Sequence, residues 1–245
     1  MSRIGAALVD VGGTLWPDRW PATPTDDAHR IGGLRILLPE LSPDGATRLH
    51  AALLEAGAAL EGQIEQNLDQ FVGATLAHFG LPATPSKKTA VLDAMCIPAR
   101  HRVSLFPDAR ELLATIKHEG LRCVVFSNTV WRRARSYWRD FEAFDVAHLV
   151  DAVVASVDLG VRKPHRAMFE ASADAGGISL DRCVVIGNSE RLDVEPARAL
   201  GLRVLRVAIE EPVPHTSQAD RTASSLHEAA EVLQTWCRGR EQQES

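Results

Sequence analysis

The chain has 245 residues, 45% of them hydrophobic, enough for one large folded domain or for a core with an insertion. A net charge of -5 at pH 7 gives no long-range pull toward nucleic acid or an anionic membrane and points to a small-molecule partner. No apolar run approaches the roughly 20 residues that span a bilayer, and the start lacks the basic and apolar pattern of an export signal, so a cytoplasmic protein is expected.

The first apolar run, IGAALV at 4–9, predicts a strand that ends at Asp10. Residues 19–103 then show no convincing strand. Helical patterns fill them: DDAHRIGGLRILL, the long stretch from Pro43 to Gly80, and PSKKTAVLDAMC, with turns marked by Pro39, Pro43, Pro82 and Pro85. A connection this long with its own helices predicts a separate helical module rather than a loop. After it, DARELLATIKHEG at 108–120 predicts a helix and RCVVF at 122–126 a strand. WRRARSYWRDF reads as a helix with its tryptophans packed inward, or as an anion-binding face. DAVVA (151–155), RCVVI (182–186) and RVLRVA (203–208) predict further strands, separated by the helical patterns HRAMFEASADAGG and VEPARALG. Beyond Glu210 the chain is polar except for one amphipathic helix, LHEAAEVLQTW, expected on the sheet edge. Strands without alternation, interleaved with helices, predict an α/β class fold: a doubly wound parallel sheet covered on both faces. The core is assigned to residues 1–18 and 104–245, and the inserted α-helical cap domain to 19–103.

Ligands of such sheets bind beyond the carboxyl ends of the strands. Those ends deliver Asp10, then Ser127 and Asn128, then Gly187, Asn188 and Ser189 with Asp193 one turn later, while Lys163 precedes the helix that follows the third strand. Singly, each has an ordinary reading: a turn former, a helix cap, a solvated cation. Together, on one sheet edge, they form a carboxylate nucleophile, a hydroxyl and amide pair, a lysine and a second carboxylate. Cys96, Cys123, Cys183 and Cys237 lack metal-binding spacing and read as reduced core thiols.

DVGGT, VVFSN, RKP and IGNSERLD stand in the order of the four motifs of the haloacid dehalogenase superfamily, which the whole chain resembles. The resemblance implies a Rossmann-like core, with residues 19–103 as the helical cap. It implies that Asp10 attacks the substrate to form a covalent intermediate, that Ser127 binds developing negative charge, and that Lys163 neutralises Asp10 and the transferring group. Asn128, Thr14 and Trp16 are the accompanying substrate-binding candidates. In phosphatase members Mg²⁺ is the cofactor; here Asp10, the Gly12 carbonyl, Asn188 and Asp193 would hold it. A small anionic substrate and a monomer or homodimer complete the expectation.

Two positions depart from the phosphatase pattern. Gly12 stands where a second aspartate protonates the leaving alcohol, a step that contributes about a hundred- to ten-thousandfold. Either the leaving group needs no proton, or another residue such as His29 or His165 supplies it. Asn188 stands where a metal-binding aspartate is usual, with Glu190 or Asp193 left to compensate. The dehalogenase pattern also fails, at Phe169 in place of a tyrosine and at Glu190 in place of an asparagine. The leading reading is a Mg²⁺-dependent phosphatase acting on a small phosphorylated metabolite. Metal-independent carbon–halogen hydrolysis and a catalytically weak binding protein are the alternatives. Arg30, Arg35 and Arg48 are cap cations without a chosen role.

Overall fold

The computed structural model describes residues 3–18, 23–65, 67–210 and 216–238. The first residues of the expected cap, 19–22, and the tail at 211–215 and 239–245 lie outside them. The described residues contain a six-stranded, all-parallel sheet in the order β3-β2-β1-β4-β5-β6. The strands are β1 (Ala6–Val9), β2 (Arg122–Ser127), β3 (Ala152–Ala155), β4 (Cys183–Gly187), β5 (Arg203–Val207) and β6 (Arg221–Ala223).

Every residue of β1 and β4 is buried, which explains why their sequences are continuous rather than alternating. Successive residues nonetheless face opposite cores. Ala7, Val9, Val125 and Ile186 pack with α5 (Ala109–His118), α6 (Ala134–Ala143) and α10 (Leu226–Arg238). Leu8, Val124, Phe126 and Val185 pack with α8 (Arg166–Gly176) and α9 (Glu195–Ala199). The result is the expected three-layer sandwich. Helix α10 lies chiefly on α5 and also reaches β6, the edge strand. Cys123 and Cys183 sit inside this core, where burial pushes both thiols up to about 12.

Between β1 and β2 lie α1 (Pro24–Leu37), α2 (Pro43–Glu61), α3 (Leu68–His78) and α4 (Pro85–Met95). The pattern read as one helical stretch from Pro43 to Gly80 is thus broken between Gly62 and Asn67. Thr23, Ser42 and Thr84 each accept a backbone N–H at a helix start, directly before a proline in the first turn. Helix α1 packs on α4 and α2, α2 on α3, and α3 on α4. Arg102, where the chain returns, donates to Thr23 Oγ1 at 3.0 Å and pairs with Asp26, so both ends of the connection are clamped together. A second tie joins the helices to the sheet: Arg162 N donates to Ile64 O at 3.0 Å, and Glu65 bridges Val161.

Candidate active site

Strand order alone brings the polar strand ends together, because β1 lies between β2 and β4. Asp10 follows β1, with its N–H held by Ile186 O of β4 at 2.9 Å. Lys163 Nζ donates to Asp10 Oδ1 at 2.6 Å and to Asp193 Oδ1 at 2.7 Å. The lysine is 2% exposed and Asp193 1%, so this ion triplet is sealed from water on most sides. Burial disfavours the ammonium, but the two carboxylates outweigh it and hold Lys163 above its ordinary pKa. Burial, reinforced by the charge of Asp10, pushes Asp193 up to about 6 against the pull of Lys163.

The supports of this triplet come from the predicted motifs, with altered duties. Asn128 accepts from Lys163 N at 2.8 Å and donates to Lys163 O at 3.0 Å. Both ends of its amide thus brace the lysine, while the residue also lines the cleft above the triplet. Thr14 is fully buried and donates to Asp10 Oδ2 at 3.1 Å, so it aims the carboxylate instead of meeting substrate. Ser127 Oγ accepts from Tyr137 Oη at 2.8 Å, which leaves its own proton to donate toward a ligand. A one-turn π segment, Glu190–Val194, carries Asp193; its Oδ2 accepts from Ser189 N at 3.0 Å.

Above the triplet lies a cleft of about 870 Å³ lined by Asp10, Gly12, Trp16, Ser127, Asn188 and Asp193, and by Arg30, Met95 and Ile97 from the helical insertion. Trp16 stacks on Tyr137 at 6.0 Å and forms a wall of it. Arg132, Arg162 and Arg206 also line it, Arg132 paired with Asp140 and Arg206 with Glu190. Of the arginines considered in the insertion only Arg30 reaches the cleft; Arg35 is exposed and Arg48 pairs with Asp44 on the surface. His29 and His165 are exposed and do not line it, and His165 Nδ1 accepts from Ala167 N as a helix cap. The structure thus removes both histidines offered as proton donors.

The Glu190 carboxylate is engaged by neighbouring groups. Arg206 pairs with it at 2.8 Å, and Ser217 Oγ and Gln218 N donate to it at 2.7 Å. Phe169 is buried edge-on to Phe126, and Phe126 in turn lies 4.2 Å from Lys163 Nζ. The metal candidates are all oxygen donors, which suits a hard dication. Among the described residues no three His, Cys, Asp or Glu side chains converge as a metal site, so the set depends on two carboxylates helped by the neutral oxygens of Asn188 and Gly12. Gly13, at φ 71°, makes room for that amide: a Cβ there would lie 2.1 Å from Asn188 Nδ2.

The sequence reading missed three participants. Tyr137 lies on α6, where its packing on Trp16 could be found only from the fold. Arg132 lies in the run weighed as an anion-binding face; it is buried against Asp140 and Ile97 O at the cleft wall. The third is Asp18, whose Oδ1 would lie 2.5 Å from a Cβ at position 12. Its signal in the sequence was only an acidic residue shortly after the first motif.

Comparison with known proteins agrees with this geometry. Residues 4–201 match the family model for haloacid dehalogenase-like hydrolases. A ribulose-1,5-bisphosphate 5-phosphatase of Halopiger xanaduensis is 28% identical over 89% of this chain and 91% of its own. Among solved structures, a 2-haloacid dehalogenase from Pseudomonas syringae pv. Tomato DC3000 superposes with a TM-score of 0.59 at 19% identity, covering 95% of this chain and 99% of its own. A HAD phosphatase from Thermococcus onnurineus does so with a TM-score of 0.56 at 17% identity, covering 94% and 98%. The two structures share the fold and leave the reaction open.

Proposed function

Since the chain belongs to the haloacid dehalogenase-like hydrolases, we propose that it is a phosphatase acting on a small phosphorylated metabolite through an aspartyl-phosphate at Asp10. The observation that carries this reading is the buried ion triplet, in which Lys163 bridges Asp10 and Asp193 beneath an arginine-lined cleft. Lys163, 2.6 Å from Asp10, offsets its negative charge as an anionic phosphoryl group approaches. Thr14 fixes the attacking carboxylate, Asn128 fixes the lysine, and Ser127 donates to an oxygen of the transferring group. Residues 19–103 act as a cap that closes the cleft and selects the metabolite, since Arg30 reaches in from that side. Asp10, Asp193, Asn188 and the Gly12 carbonyl would hold Mg²⁺. When bound it offsets repulsion between the attacking carboxylate and the substrate phosphate.

The homologous bisphosphate phosphatase favours this activity over carbon–halogen cleavage. So does Phe169, which offers no hydroxyl behind the lysine. The test is hydrolysis of p-nitrophenyl phosphate with Mg²⁺, alongside halide release from 2-chloropropionate. Wild type is expected to cleave the phosphate and not the haloacid, and Asp10→Asn is expected to remove at least about a thousandfold of the activity. Halide release with no phosphate release would overturn the reading.

A further inference from the structure

Position 12 has no side chain, yet the space a side chain there would use is filled. Asp18 Oδ1 lies 2.5 Å from where a Cβ at Gly12 would stand, within the reach of a carboxylate grown from position 12 itself. Two contacts hold it there. Gly12 bridges Trp16, folding the loop back on itself, and Asp18 N donates to Glu210 Oε2 at 3.1 Å beyond β5. Asp18 lines the same cleft as Asp10 and is exposed to solvent. Glu190 is held by Arg206 and Ser217, Asp193 by Lys163, and Tyr137 donates to Ser127 with its phenol pushed up to about 12 by burial.

We propose that Asp18 is the general acid and base of this phosphatase, a carboxylate delivered from six residues further along the chain into the space vacated by Gly12. The inference rests on the phosphatase reading and deepens it. As Asp10 Oδ bonds to phosphorus and the P–O bond to the leaving group breaks, the Asp18 carboxyl gives its proton to the departing oxygen, releasing an alcohol. Asp18, now a carboxylate, takes a proton from the water that attacks the aspartyl-phosphate. Phosphate leaves and Asp10 is restored, while Asp18 holds the proton taken from the water, ready for the next departing oxygen. Glycine at 12 and aspartate at 18 are complementary: any larger residue at 12 displaces the carboxylate.

The experiment compares an alkyl phosphate, glycerol 3-phosphate, with p-nitrophenyl phosphate, whose leaving group needs no proton. For Asp18→Asn, kcat on the alkyl ester is expected to fall by about 10² to 10⁴, and on the aryl ester by less than about tenfold. The double variant Gly12→Asp with Asp18→Gly, which returns the carboxylate to position 12 without collision, is expected to recover alkyl turnover. Wild-type activity on the alkyl ester that survives in Asp18→Asn overturns the assignment alone. So do equal losses on both esters, which mark a metal-holding or orienting role. A wild type inactive on both esters overturns the phosphatase reading and the assignment with it.

Discussion

Asp10 is held from three directions: by β4 through its N–H, by Thr14 through Oδ2 and by Lys163 through Oδ1. Such anchoring leaves the carboxylate little to reorganise when it attacks, which is how a weak nucleophile becomes effective. Asn188 is the residue at which the metal site is weakest in charge. Replacing it by aspartate adds a third carboxylate where the wild type offers an amide, and ligand charge raises affinity for a hard dication. Asn188→Asp is expected to tighten Mg²⁺ binding by about tenfold, roughly 1.4 kcal/mol. Calorimetric titration of the metal-free protein measures this without reference to turnover, and an unchanged dissociation constant would place Asn188 outside the metal site. At this scale the sequence was informative about Asp10 and Ser127, which sit at strand ends, and about Asp193 and Lys163, which lie in the loops that follow strands, because these segments share one edge of a parallel sheet. It could not place Asp18, whose position depends on the course of a loop. Nor could it show that Asn128 braces Lys163 and Thr14 aims Asp10, because such side-chain contacts are decided by packing.

The clamp at the root of the insertion is the element on which the placement of α1–α4 depends. Asp26 closes a capping box with Thr23 and pairs with Arg102, so one carboxylate ends a helix and ties two chain segments 76 residues apart. Arg102→Ala leaves Asp26 without its guanidinium in a buried setting, and a loss of about 1–3 kcal/mol is expected. A double-mutant cycle with Asp26→Asn in urea checks it; a coupling energy near zero would mean the two do not work as a pair. Five of the six strands were legible from short buried runs of β-branched residues. The sixth was not, since Arg221–Ala223 is three residues long and carries only one buried side chain. The break between α2 and α3 was missed for a related reason: the apolar periodicity resumes quickly after Gly62, and no proline marks the gap.

For the whole molecule, the buried ionisable groups set how stability responds to acid. Burial works against ionised Asp151, but Lys117, Arg122 and the Cys123 N–H more than offset it and hold its pKa low; Asp26 is likewise lowered, against burial, by Arg102 and Thr23. Carboxylates with depressed folded-state values contribute stability that is present above about 3.9, the unfolded value, and lost as pH falls through the folded one. His50 is depressed by burial, so between pH 6.5 and its folded value the unfolded chain binds a proton the folded chain refuses, and stability declines. Asp193, pushed up to about 6, acts in the opposite sense between pH 6 and 4, where the folded chain gains the proton. The thermal midpoint is expected to fall below pH 4. His50→Gln removes only the unfavourable member and is expected to raise the midpoint at pH 5 relative to wild type but not at pH 7.5. Differential scanning calorimetry at the two pH values decides it.

The register of β1 carries one more implication, for how the chain comes to be folded. Ala6 pairs with Arg122 on one side and Cys183 on the other, so the central strand gains its first sheet neighbour only after residue 122 is made and its second only after residue 183. Pairings of this range close slowly, and synthesis at about 5–20 residues per second exposes the early segments meanwhile. The strand that leads to Asp10 is therefore translated early and seated late. A nascent chain that ends before residue 163 carries the aspartate without its ammonium partner, so the reactive pair comes into existence only when the sheet around it closes.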